Sequence, residues 1–344
     1  MDKKLKFAVF GTGFWSKFQI YAWYELKDVE CVALYNRTKE KAEKIAELFG
    51  IDKKHVYSDP ESLLRNEDID FVDIITNPET HAVLTELVAS FKKPVISQKP
   101  MSDDIRSAER MIKVCKRNNV PLFIHENWRW QSPIRRVYQL IKDEVAGKPF
   151  RARISYLTSF RVYENQPFLK EAKRFILADI GPHLLDVCRF LFGEMKTLYC
   201  NIKNVNPEVK GEDVASVYMK TVDDVIVNCD MSYFSKIEYD RFPETYILVE
   251  CDKGSIELKP DFYISVTTKE GTKTERVAPK VYPWADPKYA VVHASIVDCN
   301  RNILSALKKE GQAETTGEDN IKTMRLVEAA YKSSNKGKII KFNK

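Results

Sequence analysis

The sequence predicts an α/β protein with two domains, and three observations support that prediction. Up to residue 125, short apolar strands alternate with helices, which is typical of a parallel sheet covered on both faces. From residue 126, long strands with alternating apolar and polar residues indicate a large open sheet, mainly antiparallel. The length of 344 residues suits two domains. We place them at 1–125 and 126–344, with a C-terminal helix that could pack back on the first.

The first domain is predicted to contain six strands with helices between them. The strands are the apolar runs at residues 6–10, 30–35, 55–59, 69–76, 94–98 and 121–125. Helices are predicted at residues 36–50, 79–90 and 103–119. In the first of these helices, Ala42, Ile45, Ala46 and Phe49 recur at helical spacing and Gly50 ends it. Because helices connect successive strands, the strands are expected to run parallel.

The second domain is predicted to open with two helices, at residues 132–146 and 182–193. Its alternating strands cover residues 150–160, 214–222, 225–234, 244–251, 254–259 and 263–268. Two further helices, at 289–309 and 318–334, close the chain. An open sheet face tends to be covered by a partner, so we expect a homodimer or homotetramer.

Composition excludes several classes of function. The net charge is +6, but Lys and Arg are spread among nearly as many acids, so nucleic acid is not the expected partner. Seven scattered cysteines without a C-x-x-C pair indicate reduced thiols in a cytoplasmic protein, and no spacing suggests a zinc site. There is no apolar run of membrane-spanning length, so we expect a soluble, non-exported protein without a membrane partner.

The segment GTGFWS, residues 11–16, follows the first predicted strand and precedes a helix. Gly11, Gly13 and Ser16 occupy the three fixed positions of a G-x-G-x-x-G loop. The first glycine allows the tight turn, the second lets the backbone approach a diphosphate, and the third position requires a small residue. A plain glycine turn is the alternative. The location at the first strand–helix junction favours a dinucleotide, held by the helix N-terminus.

The end of the second strand bears on the choice between NAD and NADP. A carboxylate at this place usually binds the ribose 2′-hydroxyl of NAD. Here Asn36 and Arg37 follow the strand instead. Arg37 could pair with the 2′-phosphate of NADP or be an ordinary exposed residue, and Asn36 could bind a free hydroxyl. We expect NAD(P) as cofactor, with a slight preference for NADP.

Two further segments carry candidate catalytic groups. Lys99 follows the fifth strand, at the sheet edge where ligands bind, and precedes Pro100 across a bond that could be cis. It is either an exposed charge or a proton donor. In FILADIGPHLLD, residues 175–186, Asp179, His183 and Asp186 lie in an otherwise apolar run. Such ionisable groups are costly to bury unless they are paired. They are either a satisfied core cluster or part of a cleft near the domain change.

Several motifs in fixed order make the chain resemble a known family. They are GTGFWS, ITNPETHAVLT (75–85), QKP (98–100), HENWRW (125–130), ADIGPHLLD (178–186), GEDVASV (211–217) and the closing TGEDNIKTMRLVEAAYKSSNKGK. Together they resemble the Gfo/Idh/MocA family of NAD(P)-dependent oxidoreductases, which includes glucose–fructose oxidoreductase and inositol dehydrogenases. The resemblance covers essentially the whole chain.

The resemblance implies a Rossmann domain, a second α/β domain with an open sheet, and an active site between them. It implies that Lys99 is the catalytic lysine and that Asp179 and His183 are the D-x-x-x-H pair. The predicted cofactor-binding residues are Gly11, Gly13, Phe14, Trp15, Asn36, Arg37, Thr76, Asn77, Pro78, His81, Gln98, Lys99, Trp128 and Arg129. The predicted substrate-binding residues are Lys99, Arg129, Asp179, His183 and, as weaker candidates, Arg161 and Tyr163.

The chain departs from the family pattern at three positions. Gln98 replaces the usual Glu beside Lys99, and Ser16 stands at the third loop position. Pro182 lies between Asp179 and His183, where it would break a helix interior. Gly181-Pro182 is therefore predicted to begin a helix, with Asp179 before it.

The predicted activity is hydride transfer between NAD(P) and a secondary hydroxyl or ketone of a sugar, glycoside or cyclitol. Oxidation at C3 of a glycoside or at a ring carbon of inositol would fit. Histidine exchanges protons near neutral pH, so either His183 or Lys99 could be the base, while Asp179 orients the ring or the substrate. Two alternatives stay open: an NAD-dependent glycosidase that oxidises, eliminates and reduces back, and a non-catalytic dinucleotide sensor.

Overall fold

The structure is a computed structural model that describes residues 4–342. The chain forms two units. The first comprises residues up to Glu126 with Pro283–Ala285 and Ile296–Lys322, and the second comprises Asn127–Tyr282, Asp286–Ser295 and the residues from Thr323 onward. The chain thus returns to the first unit twice after Glu126, and residues 317–322 of the closing helix belong to that unit.

A six-stranded parallel sheet forms the centre of the first unit. Its strands are β1 Leu5–Phe10, β2 Val29–Tyr35, β3 Val56–Tyr57, β4 Phe71–Ile74, β5 Val95–Gln98 and β6 Leu122–His125. The order is β3-β2-β1-β4-β5-β6 and all pairs are parallel, as the sequence predicted. The direction of strand order reverses between β1 and β4. Ligands of open α/β sheets bind at the carboxyl ends of the strands beside such a reversal.

Helices connect these strands. They are α1 Ser16–Tyr24, α2 Lys39–Phe49, α3 Pro60–Asn66, α4 Pro78–Ser90 and α5 Ile105–Asn118. The sequence analysis missed α3, although its signals are local: Asp59 accepts a hydrogen bond from the Ser62 backbone at 2.7 Å, and Pro60 occupies the first helical position.

One buried carboxyl group lies in the core of the first unit. Trp23 of α1 packs against Phe7 and Phe71, with ring centroids 5.7 and 5.3 Å away. Its indole N–H donates a hydrogen bond to Asp73 Oδ2 at 2.8 Å. Asp73 has no exposed surface, and this burial raises its pKa to about 6. The indole and the nearby Gln19 amide do not replace all the water that an ionised carboxylate would lose.

A nine-stranded mixed sheet forms the centre of the second unit. Its strands are β7 Pro149–Leu157, β8 Met195–Lys203, β9 Val214–Thr221, β10 Ile226–Ser232, β11 Tyr246–Cys251, β12 Gly254–Lys259, β13 Tyr263–Thr268, β14 Gly271–Arg276 and β15 Ile340–Lys341. The order is β14-β13-β12-β11-β7-β10-β9-β8-β15. Only the β7–β10 pair is parallel among these strands, so the predicted mainly antiparallel sheet is confirmed.

The remaining helices are α6 Ser132–Lys142, α7 Val162–Asn165, α8 Phe168–Glu171, α9 Ile176–Asp179, α10 Gly181–Phe192, α11 Ala290–Leu307 and α12 Gly317–Lys336. Strands β8, β14 and β15 were not predicted. All six residues of β14 are exposed, so it shows no alternation of burial, and β15 has only two residues. Within residues 4–342 no helix is both long and apolar enough to cross a membrane. The same residues contain no cluster of three or more His, Cys, Asp or Glu side chains suited to a metal ion.

Candidate active site

The loop after β1 has the geometry of a phosphate-binding turn. Gly11 has a φ of +97°, and a Cβ there would lie 2.5 Å from the carbonyl oxygen of Ile75. Only glycine fits this position without displacing backbone. A Cβ at Gly13 would instead meet no atom within 4 Å. The hydroxyl of Ser16 donates to the Gly13 carbonyl at 2.7 Å and is buried. The open side of the loop at Gly13 therefore fits a diphosphate.

Phe14 and Trp15 complete this loop. Phe14 is 60 % exposed, and both rings pack on Phe18 with centroid distances of 5.3 and 5.8 Å. An exposed aromatic ring beside a phosphate loop offers an apolar surface to a dinucleotide.

At the end of β2 the two predicted cofactor residues differ in their surroundings. Asn36 donates through Nδ2 to Thr12 Oγ1 at 2.6 Å and accepts from the Thr38 backbone at 2.9 Å. These bonds hold the amide in place against the first loop. Arg37 is exposed. The Arg37 guanidinium is therefore more accessible than the Asn36 amide to a ligand that binds from solvent.

The segment after β4 turns directly into α4. Pro78 is the first residue of that helix, and Asn77 precedes it in extended backbone. Thr76 Oγ1 accepts a hydrogen bond from the Thr80 hydroxyl at 2.7 Å. These residues follow a strand beside the reversal of strand order, which agrees with a cofactor-binding role.

His81 has no exposed surface and is held by the protein itself, so its contact with the cofactor stays a prediction. Its Nε2 lies 3.0 Å from the carbonyl oxygen of Thr76, and its Nδ1 lies 3.1 and 3.3 Å from those of Pro100 and Met101. A protonated ring would satisfy both sides, but burial outweighs these bonds and lowers the pKa of His81. The neutral His81 ring therefore donates a hydrogen bond on one side only, and its other nitrogen faces a carbonyl oxygen without a hydrogen bond.

Gln98 and Lys99 follow at the end of β5. Gln98 is buried, and its Nε2 has no hydrogen-bond partner among the described residues. Such an unsatisfied buried donor is costly and fits a site completed by a ligand. Lys99 is half-buried, and the peptide bond to Pro100 is cis, in agreement with the sequence.

The second unit contains the predicted catalytic pair Asp179 and His183. Helix α10 begins at Gly181 with Pro182 in its first turn, and Asp179 ends the separate one-turn helix α9. The prediction that Asp179 precedes the helix is confirmed. His183 is buried and stacks on Trp128 with a centroid distance of 4.3 Å and an interplanar angle of 22°.

Trp128 and Arg129 lie in a 3-10 turn before α6. The Trp128 indole N–H donates to Thr245 Oγ1 at 3.0 Å, and its side chain is 4 % exposed. Arg129 is paired with buried Asp186 through two hydrogen bonds of 2.7 and 2.6 Å. Thr323 also donates to Asp186, at 3.1 Å. The sequence left Asp186 as either a paired core residue or part of a cleft. Its hydrogen bonds with Arg129 and Thr323 support the first interpretation.

Arg161 and Tyr163, the weaker substrate candidates, are partners of each other. Arg161 is exposed and donates through Nε to the Tyr163 hydroxyl at 2.8 Å, and it pairs with Glu208 and Glu164. Tyr163 is buried rather than on the surface. Asn206 donates to the same hydroxyl at 3.2 Å.

Sequence reasoning missed two residues that contact the Asp179 segment. Tyr233 donates through its hydroxyl to Asp179 Oδ2 at 3.0 Å. Glu212 is buried and accepts hydrogen bonds from the backbones of Phe175 and Leu177. Glu212 lies in the GEDVASV motif, so the motif itself was the available signal. Nothing local in the sequence distinguishes Tyr233.

Known families match both parts of the chain. Residues 5–126 match the oxidoreductase family with an NAD-binding Rossmann fold, and residues 134–257 match the Gfo/Idh/MocA C-terminal domain. The predicted Rossmann domain and dinucleotide-dependent enzyme are thus confirmed.

Individual proteins match over nearly the full length. The D-apiose dehydrogenase of Paraburkholderia graminis is 36% identical over 98% of this chain and 90% of its own. The D-apiose dehydrogenase of Rhizobium rhizogenes is 35% identical over 98% and 97%. A solved oxidoreductase from Agrobacterium radiobacter, in complex with NAD+, L-tartaric acid and magnesium, is 34% identical, has a TM-score of 0.96 and covers 98% of each chain. The chain belongs to the Gfo/Idh/MocA family of NAD(P)-dependent oxidoreductases.

Proposed function

We propose that this enzyme, an oxidoreductase of sugars or cyclitols, oxidises the anomeric carbon of a free aldose of apiose type. The similarity to two D-apiose dehydrogenases over 98% of the chain carries the proposal. In the cyclic form of an aldose, the ring oxygen stabilises positive charge at C1, so C1 is the best hydride donor among the carbinol carbons. Loss of a hydride from C1 and of the hydroxyl proton converts the hemiacetal into a lactone.

The proposed reaction assigns roles to the candidate cofactor and catalytic residues. Bound NAD(P) would accept the hydride at its nicotinamide, and the loops after β1, β4 and β5 would hold it through Gly13, Thr76 and Gln98. Either His183 or Lys99 takes the hydroxyl proton, and the other donates a hydrogen bond to the reacting oxygen. Asp179 orients the substrate or the imidazole. Stacking on Trp128 restricts the His183 ring to one plane.

Absorbance of the reduced cofactor tests this proposal with D-apiose, D-xylose, D-glucose and myo-inositol. We expect the highest kcat/KM with D-apiose and a lactone or aldonate as product. Lys99→Met and His183→Ala are expected to lower kcat roughly 10²–10⁴-fold. Lys113→Met on the exposed side of α5 and His55→Ala are matched controls. A keto sugar as product would reject C1, and no reduction of NAD(P) with any sugar or cyclitol would reject the activity.

For the cofactor, we propose that NADP is preferred, because Arg37 is exposed and Asn36 stands at the end of β2 where NAD-binding loops usually carry a carboxylate. NAD+ in the related Agrobacterium structure marks the alternative. Arg37→Ala should raise KM for NADP about tenfold and leave KM for NAD within about twofold, since a charge-assisted hydrogen bond is lost only with the phosphate. Equal effects on both would contradict the preference.

We also propose a homodimer or homotetramer formed through the open face of the large sheet. Tyr199, Tyr218, Asn228, Arg153 and Leu248 pair across five adjacent strands and none is buried. Tyr218 is 47 % exposed. Two tyrosines and a leucine in this row, none of them buried, favour a second copy of the same face. Light scattering should show a dimer or tetramer that Tyr218→Glu weakens; a monomer at all concentrations would contradict this.

The proposed location is the cytoplasm. All seven cysteines are buried and none of them forms a disulfide, which supports a reducing compartment.

A further inference from the structure

The end of the β9–β10 pair lies against both ends of the one-turn helix α9. Val214 at the start of β9 pairs with Ser232 at the end of β10, so the residues just beyond them share one edge. Glu212 precedes β9, and Tyr233 follows β10. The Tyr233 backbone N–H donates to the carbonyl of Asp213 at 2.9 Å, which ties these two chain segments together.

Glu212 holds the beginning of α9. Its Oε1 accepts hydrogen bonds from the backbone N–H groups of Phe175 at 3.1 Å and Leu177 at 3.2 Å. Its own carbonyl accepts from the N–H of Ile176 at 2.9 Å. Three consecutive donors that have no partner within the helix are thus satisfied by one residue. Tyr331 donates to the same Oε1 at 2.6 Å.

Neighbouring residues support this position of Glu212. A Cβ on Gly211 would lie 2.7 Å from the carbonyl oxygen of Ala172 and 2.8 Å from Phe175 Cβ. Only glycine allows the backbone before Glu212 to approach α9 so closely. Asp213 accepts from the backbones of Val205 and Asn206 at 2.7 and 2.9 Å and thereby fixes the loop before β9. Gly211, Glu212 and Asp213, the first three residues of GEDVASV, thus together fix the loop before β9 against the start of α9.

Tyr233 holds the other end of α9. Its hydroxyl donates to Asp179 Oδ2 at 3.0 Å. Burial and the nearby charge of Asp179 raise the pKa of Tyr233 well above its ordinary value, so the phenol keeps its proton and stays a donor. The ring stacks on Phe175 with a centroid distance of 5.3 Å. Tyr233 therefore contacts the first and the last part of the same turn.

We propose that Glu212 and Tyr233 are paired positioning residues that hold Asp179 in place, Glu212 through the backbone of α9 and Tyr233 through the carboxylate. This inference rests on the proposed role of Asp179 in sugar oxidation. Helix α9 is only four residues long and cannot hold its own geometry in water. The orientation of the carboxylate is therefore set by distant residues: Glu212 is 35 positions from Leu177, and Tyr233 is 54 positions from Asp179.

Tyr156 supplies a matched control for Tyr233. It is equally buried and packs edge-on against Tyr233 at 6.0 Å. Its hydroxyl lies near Tyr233 and the charge of Asp179, but among the described residues it donates no hydrogen bond to Asp179. Tyr233→Phe and Tyr156→Phe remove the same atom from the same aromatic cluster, and only the first removes a hydrogen bond donated to Asp179.

Steady-state kinetics of these two variants then distinguish a positioning role of Tyr233 from a role in folding. Tyr233→Phe is expected to lower kcat about tenfold, as the loss of a charge-assisted hydrogen bond predicts, with KM for the sugar, Kd for NAD(P) and Tm near the parent values. Tyr156→Phe should leave kcat within about twofold. Equal kcat values for the two variants, or a change of Tm and KM instead of kcat, would overturn the role of Tyr233.

Amide hydrogen exchange tests the same proposal without a substrate. Glu212→Ala, which removes the acceptor of the Phe175 and Leu177 N–H groups, should accelerate exchange at those two residues. Tyr233→Phe should accelerate exchange at Asp179 and Ile180, each effect being about tenfold or more, with α10 unchanged. Parent-like exchange in both variants would overturn the proposal. If Asp179→Asn keeps full activity on the sugar panel, the proposed role of Asp179 fails, while exchange still decides whether Glu212 and Tyr233 hold α9.

Discussion

The two units hold their candidate site residues by different means. In the first unit several contacts of the candidate residues are short in sequence and end on backbone: Ser16 to Gly13 spans 3 residues, His81 to Thr76 spans 5 and His81 to Pro100 spans 19. The side-chain contact from Asn36 to Thr12 spans 24. In the second unit the buried contacts join side chains farther apart: Arg129 to Asp186 spans 57 residues and Tyr233 to Asp179 spans 54. The candidate residues of the first unit are therefore held largely by local contacts, and the buried ones of the second depend on the tertiary fold.

The largest expected effect comes from the side-chain contacts of the second unit. Arg129→Met should lower the free energy of unfolding by about 3–5 kcal/mol, because Asp186 would stay buried without its main partner. Urea denaturation measures this loss. Arg136, which donates to Glu275 at 2.7 Å but is half-exposed, is the matched control, and Arg136→Met should cost only about 0–1 kcal/mol. Similar losses for both would mean that burial of the pair is unimportant.

The buried carboxyl of Asp73 in the first unit predicts that the free energy of unfolding depends on pH, with an effect somewhat smaller than that of Arg129→Met. The pKa of Asp73 is about 6 in the folded state and about 3.9 in an unfolded chain. The unfolded state therefore loses its proton first as pH rises, and stability falls between about pH 4 and pH 6. The total loss is about 3 kcal/mol, fully present above pH 6.

Urea denaturation at several pH values tests this dependence. Asp73→Asn should flatten the decline of the free energy of unfolding between about pH 4 and pH 6. Asp68→Asn is the control, since Asp68 is 81% exposed and should leave the decline unchanged. An unchanged decline in Asp73→Asn would show that other groups cause it.

The smallest effects concern the two glycines of the first loop and separate folding from cofactor binding. Gly11→Ala should destabilise the enzyme by about 1–3 kcal/mol, since its φ of +97° strains any side chain. Gly13→Ala should leave Tm unchanged, because its methyl group meets no atom within 4 Å.

The same methyl group would occupy space open to a diphosphate. Titration of Gly13→Ala with NAD(P) should therefore give a Kd at least about tenfold higher than that of the parent. Parent-like affinity in this variant would show that the diphosphate does not approach the loop there.

Much of the fold was predictable because the signals are local. Apolar runs, helical spacing and glycine turns gave six strands of the first unit in the correct parallel arrangement. Strand β14 was missed since its exposed residues carry no periodic signal. At the site, the T-x-P-x-x-H motif places His81 near the cofactor, which stays a prediction. The motif carries no signal for the burial of the His81 ring against three carbonyl oxygens, because two of them belong to a distant segment.

By itself the sequence determined the family, the type of cofactor and the candidate residues Lys99, Asp179 and His183, because motif residues within a strand–loop–helix unit interact with their chain neighbours. Only the tertiary structure decided which groups contact the candidate residues of the second unit: Asp186 for Arg129, and Tyr233 for Asp179. The physical reason is that hydrogen bonds and ion pairs between distant segments depend on sheet register and helix packing, which leave no pattern in neighbouring residues.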